Sequence, residues 1–134
     1  LGDLTIGDSV NIERSAKPTD ENGGHAIAGH IATTATLVAA KSEMPGAFIR
    51  FSVPQDWSKY IFPRGFLAVN GASLTVSEAE GDVFQINLIP ETLRQTTFPR
   101  YKPGDRLNIE VDHQTMVMVD VVERTLTRLL DKRA

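Results

Sequence analysis

The 134-residue chain is 41% hydrophobic and 23% charged, with a formal net charge of −3. That length suits one domain with a real core, and the small acid excess argues against a broad surface for nucleic acid or membrane. Cysteine is absent, which excludes disulfides and thiolate metal sites and sets the expectation of a reducing, cytoplasmic setting. The first residues carry no apolar h-region, and no apolar run approaches membrane-spanning length.

In chain order, the segments 9–14, 26–38, 48–53, 66–69, 73–79, 83–89 and 106–111 read as strands. Turn chemistry separates them at Glu21-Asn22-Gly23-Gly24, Met44-Pro45-Gly46, Asn70-Gly71, Glu80-Gly81-Asp82 and Lys102-Pro103-Gly104-Asp105. After Asn70-Gly71 the side chains alternate: Leu74 and Val76 can fill a core while Ser73 and Thr75 line the outer face. Phe84-Gln85-Ile86-Asn87-Leu88 alternates in the same way and ends at Pro90. Between strands, Pro54 with Trp57 and Ile61 four apart predicts a short helix over 55–61. From about Thr115 the period changes. Met118, Val122, Thr125, Leu126 and Leu129 mark one face of a helix, with Arg128, Lys132 and Arg133 near its end. Its stripe can dock on the barrel or pack against copies of itself. Many short strands at near-regular spacing argue for a barrel or sandwich, and closure removes the exposed edges.

Gly7-Asp8-Ser9-Val10-Asn11-Ile12-Glu13 matches Gly104-Asp105-Arg106-Leu107-Asn108-Ile109-Glu110, with identity at Gly, Asp, Asn, Ile and Glu. A self-match at a fixed offset marks duplicated units. The chain begins at Leu1, and the expectation is a fragment that carries the tail of one unit and the whole of the next. Of the three histidines, His25 and His30 are five apart, which suits neither strand nor helix metal-site spacing, and His113 is isolated. No metal site is expected. Either His25 or His30, in a glycine-rich stretch that lets a ligand approach, could orient a ligand or transfer a proton; His30 is favoured.

Several motifs together resemble riboflavin synthase of the bacterial type, in its C-terminal barrel. They are Asn70-Gly71-Ala72-Ser73-Leu74-Thr75-Val76, Asn87-Leu88-Ile89-Pro90-Glu91-Thr92-Leu93 with Arg94-Gln95-Thr96-Thr97 after it, Gly23-Gly24-His25-Ala26-Ile27-Ala28-Gly29-His30, Asn108-Ile109-Glu110-Val111-Asp112 and Val121-Val122-Glu123-Arg124-Thr125-Leu126. The resemblance runs from Leu1 to about Leu130. It implies an all-β fold, a six-stranded antiparallel Greek-key closed barrel with a C-terminal α-helix. Residues 1–20 are then the terminal strand of a preceding homologous barrel and a linker, 21–113 a lumazine-binding barrel, and 114–134 an oligomerisation helix.

The resemblance also implies chemistry. The family's enzyme moves a four-carbon unit between two molecules of 6,7-dimethyl-8-ribityllumazine, giving riboflavin and 5-amino-6-ribitylaminouracil, without cofactor or metal. Such a site must hold two flat rings face to face, move protons and stabilise negative charge. Matched by motif, Ser73, His30 and Asp112 are the candidate catalytic groups, and Gly29, His30, Arg64, Ser73, Thr75, Ile89, Thr92 and Asp112 the candidate substrate contacts. Arg64 stands where the family more often has Lys; it keeps the charge but is a planar fork of higher pKa, which suits a ribityl or charge contact. The implied assembly of the whole enzyme is a homo-oligomer, a trimer; for this chain alone a two-fold dimer is expected, because a barrel face made to be closed by a homologous barrel would find a second copy. The family's pocket lies between the first barrel of one subunit and the second of its neighbour, so this chain is half of an active site. The alternative is a lumazine- or flavin-binding barrel without turnover.

Overall fold

A computed structural model describes residues 4–43 and 45–132. Met44 of the Met44-Pro45-Gly46 turn, Arg133 of the basic helix end and Leu1 lie outside the described residues. Six strands close into a barrel: β1 (Thr33–Glu43), β2 (Gly46–Ser52), β3 (Phe66–Val69), β4 (Ala72–Glu80), β5 (Val83–Leu88) and β6 (Arg106–Val111). Around the barrel the order is β1-β2-β5-β4-β3-β6, and all pairs are antiparallel. The hairpin-linked run β3-β4-β5 has β6 returning beside β3, which is a Greek key. Helix α1 (Gln55–Ser58) follows β2, α2 (Pro90–Gln95) follows β5, and α3 (His113–Asp131) follows β6.

The alternation read from sequence decides what is inside. Leu74 and Val76 of β4, Phe84, Ile86 and Leu88 of β5, and Leu107 and Ile109 of β6 are buried, while their neighbours face outward. Phe51 and Phe84 are a cross-strand pair whose rings stack with centroids 5.3 Å apart. The loops add Val53, Ile61 and Phe98 to the same core. Strand β1 carries a bulge at Val38, since Leu37 pairs with Phe51 and Ala39 with Arg50.

Three expectations need correction. The segment 26–32 is not strand; β1 starts at Thr33 and runs to Glu43. Gly29 has φ +81, and the amides of Ala28 and Gly29 donate to the Glu110 side chain instead of to a strand backbone. The segment 9–14 is not strand either. Its Gly7-Asp8 turn is built like the Gly104-Asp105 turn: the glycines have φ +102 and +99, and Asp8 and Asp105 each accept the amide three residues back at 2.7 Å. After the second turn, Arg106–Val111 finds β1 and β3 as partners. After the first, no described strand offers a ladder, and Val10 and Ile12, the counterparts of buried Leu107 and Ile109, are 48% and 86% exposed. Asn11 docks this segment by donating to Asn70 O and accepting from Thr97 N. Third, the helix expected over 55–61 ends at Ser58, although Trp57 and Ile61 both turn toward the core.

Helix α3 starts at His113, two residues earlier than its pattern suggested. Asp112 is its N-cap and accepts hydrogen bonds from Thr115 N at 2.9 Å and Thr115 Oγ1 at 2.7 Å. Met116 packs on the barrel core. Beyond that turn the attachment is polar: Tyr60 Oη donates to Asp120 at 2.6 Å, and Lys59 pairs with Glu123 at 2.5 Å. The stripe of Met118, Val122, Leu126 and Leu129 does not dock on the barrel; each residue is more than half exposed. It is charge pairing at Asp120 and Glu123, on the flank of the stripe, that faces the barrel.

Two consequences follow from this packing. Replacing Phe51 with Ala should destabilise the fold by about 3–5 kcal/mol, the usual cost of emptying a fully buried aromatic site; urea denaturation measures it, and a loss under 1 kcal/mol would contradict the packing described. Partial burial raises the Asp112 carboxyl, but the Thr115 side-chain and backbone bonds, with the charge of His25, outweigh it and hold the carboxyl below its ordinary value. A depressed folded pKa contributes stability that is present above the unfolded value of about 3.9 and lost as pH falls through the folded one. The melting-point advantage of wild type over Asp112→Asn should therefore shrink between pH 6 and pH 3. An advantage that is constant across that range would refute the charge effect.

Candidate functional site

The site begins with a two-residue turn. Asn70 and Gly71 join β3 to β4 with φ +46 and +79, the left-handed pair that a mirror-image hairpin turn needs. The Asn70 side chain is itself tied down, accepting from Asn108 N at 2.7 Å and donating to Tyr101 Oη at 2.8 Å. This turn sets the register: Ala68 lies opposite Ser73 on one side and Glu110 on the other. Because Leu67, Leu74 and Ile109 point into the barrel, Glu110, Ala68 and Ser73 form a row across its outer face. Phe66 pairs with Thr75, and continuing the β3–β6 register sets Asp112 level with Phe66. A second row, Asp112, Phe66 and Thr75, thus lies beside the first.

The glycine-rich segment 23–31 crosses these rows as a strap. At one end, His25 N donates to Ser73 Oγ at 3.0 Å and His25 Nδ1 lies 2.6 Å from the same oxygen. The approach is close enough that a Cβ on Gly24 would sit 2.4 Å from Ser73 Oγ, so this position requires glycine. The His25 ring stacks on Phe66, with centroids 5.5 Å apart and planes 19° apart. At the other end, the Glu110 carboxylate takes Ala28 N at 2.7 Å and Gly29 N at 2.9 Å. Ala32 N then joins Ile109 O at 2.9 Å, where the β1–β6 ladder begins.

One polar atom is left over. His25 Nε2 is buried and, among the described residues, is the buried side-chain nitrogen or oxygen without a hydrogen-bond partner. Ser73 and His25 share one proton contact that either tautomer can make. If Ser73 donates to Nδ1, Nε2 carries a hydrogen to give; if Nδ1 donates, Nε2 is an acceptor and the Ser73 proton is free. Either way Nε2 is left without a partner beside an aromatic face, and in the second case the Ser73 proton is left over as well. Asp112 is partly buried and lies near enough to His25 for the two to interact electrostatically. Its two bonds to Thr115 both fall on Oδ2.

The residues singled out from sequence divide into two groups. Ser73, Thr75, Asp112 and Gly29 come together, on the two rows or on the strap over them. His30 is exposed at the far end of the strap; His25 is the histidine that meets Ser73. Arg64 is exposed with φ +69, and its amide donates to Val76 O. Ile89 is the N-cap of α2 and Thr92 lies within that helix, with Pro90 at its first turn. Carrying the Val76–Ile86 register onward sets Ile89 level with Ser73, so α2 stands at the same end of the barrel. A cleft of about 370 Å³ lies nearby, lined by Ile12, Gly71, Ala72, Gln95 and Thr96 among others. Glu110 and Phe66 were not singled out. In an alternating strand an outward acid reads as solvated, and only the strap makes Glu110 a buried one. Among the described residues no three His, Cys, Asp or Glu side chains group as a metal site, and no helix is long and apolar enough to cross a membrane.

The sequence and fold have known counterparts. Residues 28–112 match the family model described as the lumazine binding domain. The riboflavin synthase of Escherichia coli K12 is 48% identical over 127 residues, covering 94% of this chain. That of Chlamydia pneumoniae is 39% identical over 126 residues, also 94% of the chain. The chain spans 60% and 61% of the length of these two relatives. Among solved structures, LumP complexed with 6,7-dimethyl-8-(1'-D-ribityl) lumazine superposes with a TM-score of 0.65 at 22% identity, over 70% of this chain and 53% of that one. LumP complexed with flavin mononucleotide does so with 0.63 at 23%, over 66% and 50%. These two show the same fold. With most of its barrel matched by the family model, from the strap to the N-cap of α3, the chain belongs to the lumazine-binding domain family.

Proposed function

We propose that this chain is the second lumazine-binding barrel of a riboflavin synthase, with residues 1–20 the tail of a preceding homologous barrel. The observation that carries the reading is the Ser73–His25 pair on the outer face, with its unmet Nε2 beside the Phe66 ring. A flat, polar heterocycle suits that combination: an aromatic surface to stack on and hydrogen-bonding groups at its edge. In this reading Ser73 and His25 contact the ring of 6,7-dimethyl-8-ribityllumazine and pass protons to or from it. The observations favour His25 over His30 for that role. Thr75 and Asp112, on the adjoining row, take further ring or ribityl contacts. Ile89 and Thr92 offer the pyrimidinedione edge a backbone and a hydroxyl, and Arg64 a charge.

The reaction joins two lumazines. One gives a four-carbon unit to the other, yielding riboflavin and 5-amino-6-ribitylaminouracil. The barrel's contribution is to hold one ring in place and supply proton-transfer groups; the second ring needs a second barrel against this face. The exposed counterparts Val10 and Ile12 support a missing barrel, because in the second repeat the same positions are core. The exposed apolar stripe of α3 supports self-association, which would place barrels against one another.

Titration with 6,7-dimethyl-8-ribityllumazine should show saturable binding to the isolated chain. Ser73→Ala should weaken it by about 1–3 kcal/mol, the cost of leaving a buried polar group unpaired. Riboflavin formation by the chain alone should stay near background, since loss of a positioned proton-transfer group costs about a hundredfold or more. Absence of binding would overturn the reading, and enzyme-like riboflavin formation would overturn the half-site.

A further inference from the structure

Glu110 projects from the outer face of β6, where a charged side chain is ordinarily solvated, yet it is only 6% exposed. What covers it is the strap. Its two oxygens are taken by consecutive amides, Ala28 and Gly29, and the chain leaves this contact through Gly29 in the left-handed conformation. Such a concave amide pair is a site for an anion, and here the protein supplies its own. The other end of the strap rests on Ser73, two strands away across Ala68. Between the two pins lie Ala26 and Ile27, with no strand or helix to hold them.

The two pins are not equivalent. Ser73 and His25 are the groups that a bound ring would engage, so a ligand competes for that end. Both Glu110 oxygens are already taken by the strap's own amides, so that end offers a ligand nothing to compete for. We infer that Glu110 is a positioning residue, which through the Ala28 and Gly29 amides holds the strap so that His25 stays over Phe66 and Ser73. The inference rests on the proposed ligand patch for its effect on binding, but its effect on His25 belongs to the free protein.

Glu110→Gln keeps the shape but replaces one acceptor oxygen by a donor that faces an N–H group. Gly29→Ala tests the same contact from the strap; its Cβ would enter open space, so its only strain is at φ +81. In the free protein, both variants should speed amide hydrogen exchange at residues 25–29 by roughly tenfold or more, and shift the His25 imidazole resonances toward those of an unstacked ring. In lumazine titrations both should raise the dissociation rate by about tenfold with little change in association. The double variant should lose no more than the worse single one. A general loss of stability would lower the melting point and leave the His25 resonances in place; that result overturns the inference. So does a dissociation rate unchanged in both variants. If wild type fails to bind lumazine, the ligand reading falls by itself, and the exchange and His25 data still decide whether Glu110 positions the strap.

Discussion

The register of β3 between β4 and β6 is the constraint on which the rest of the molecule depends. One hairpin turn of two left-handed residues, Asn70 and Gly71, sets it, and Asn70 is held from both sides by Asn108 and Tyr101. Because strand side chains alternate, a slip of one residue would send Ser73 and Glu110 inward and Leu74 and Ile109 outward. The same register that fills the core therefore also builds the outer rows. Core and site are two faces of one pairing decision.

A strap over an outer sheet face is an unusual place to bury a carboxylate. The desolvation of Glu110 is offset by two short backbone bonds, and those amides would otherwise lack a partner in this irregular stretch. The exchange is mutual: the strap shields the charge, and the charge gives the strap a conformation. His25 gains its position from that arrangement. Its buried, unpartnered Nε2 carries a cost in the free protein that a polar ligand would relieve.

Much of this was legible in the sequence where local chemistry decides structure. Strands 66–69 and 106–111 match residue for residue, and 73–79 and 83–89 fall within one residue of the ends found, because alternation and the Asn70-Gly71 and Gly81 turns act locally. The rest depended on distant partners. Segment 26–32 reads as strand, but the amides of Ala28 and Gly29 go to the side chain of Glu110, 82 and 81 residues away. Segment 9–14 repeats the sequence of β6 and even its turn, yet lacks neighbours to pair with. Helix α2 is signalled by Pro90 and Glu91, but the alternation of β5 runs on through Ile89 and masks its start. On the outer face, the shared placement of Ser73, Thr75 and Asp112 was legible from alternation and motif. Which of His25 and His30 meets Ser73 was not, since five residues of irregular chain carry no fixed phase.

The central claim is that the outer rows of β3, β4 and β6, under the strap, form one ligand patch. Amide and imidazole chemical-shift mapping during titration with 6,7-dimethyl-8-ribityllumazine tests it most directly. The largest shifts should fall on His25, Phe66, Ser73, Thr75 and the segment from Ile89 to Thr92, while the far sides of β1 and β2 stay unchanged. Shifts centred on the apolar face of α3, with Ser73 and His25 unmoved, would contradict it.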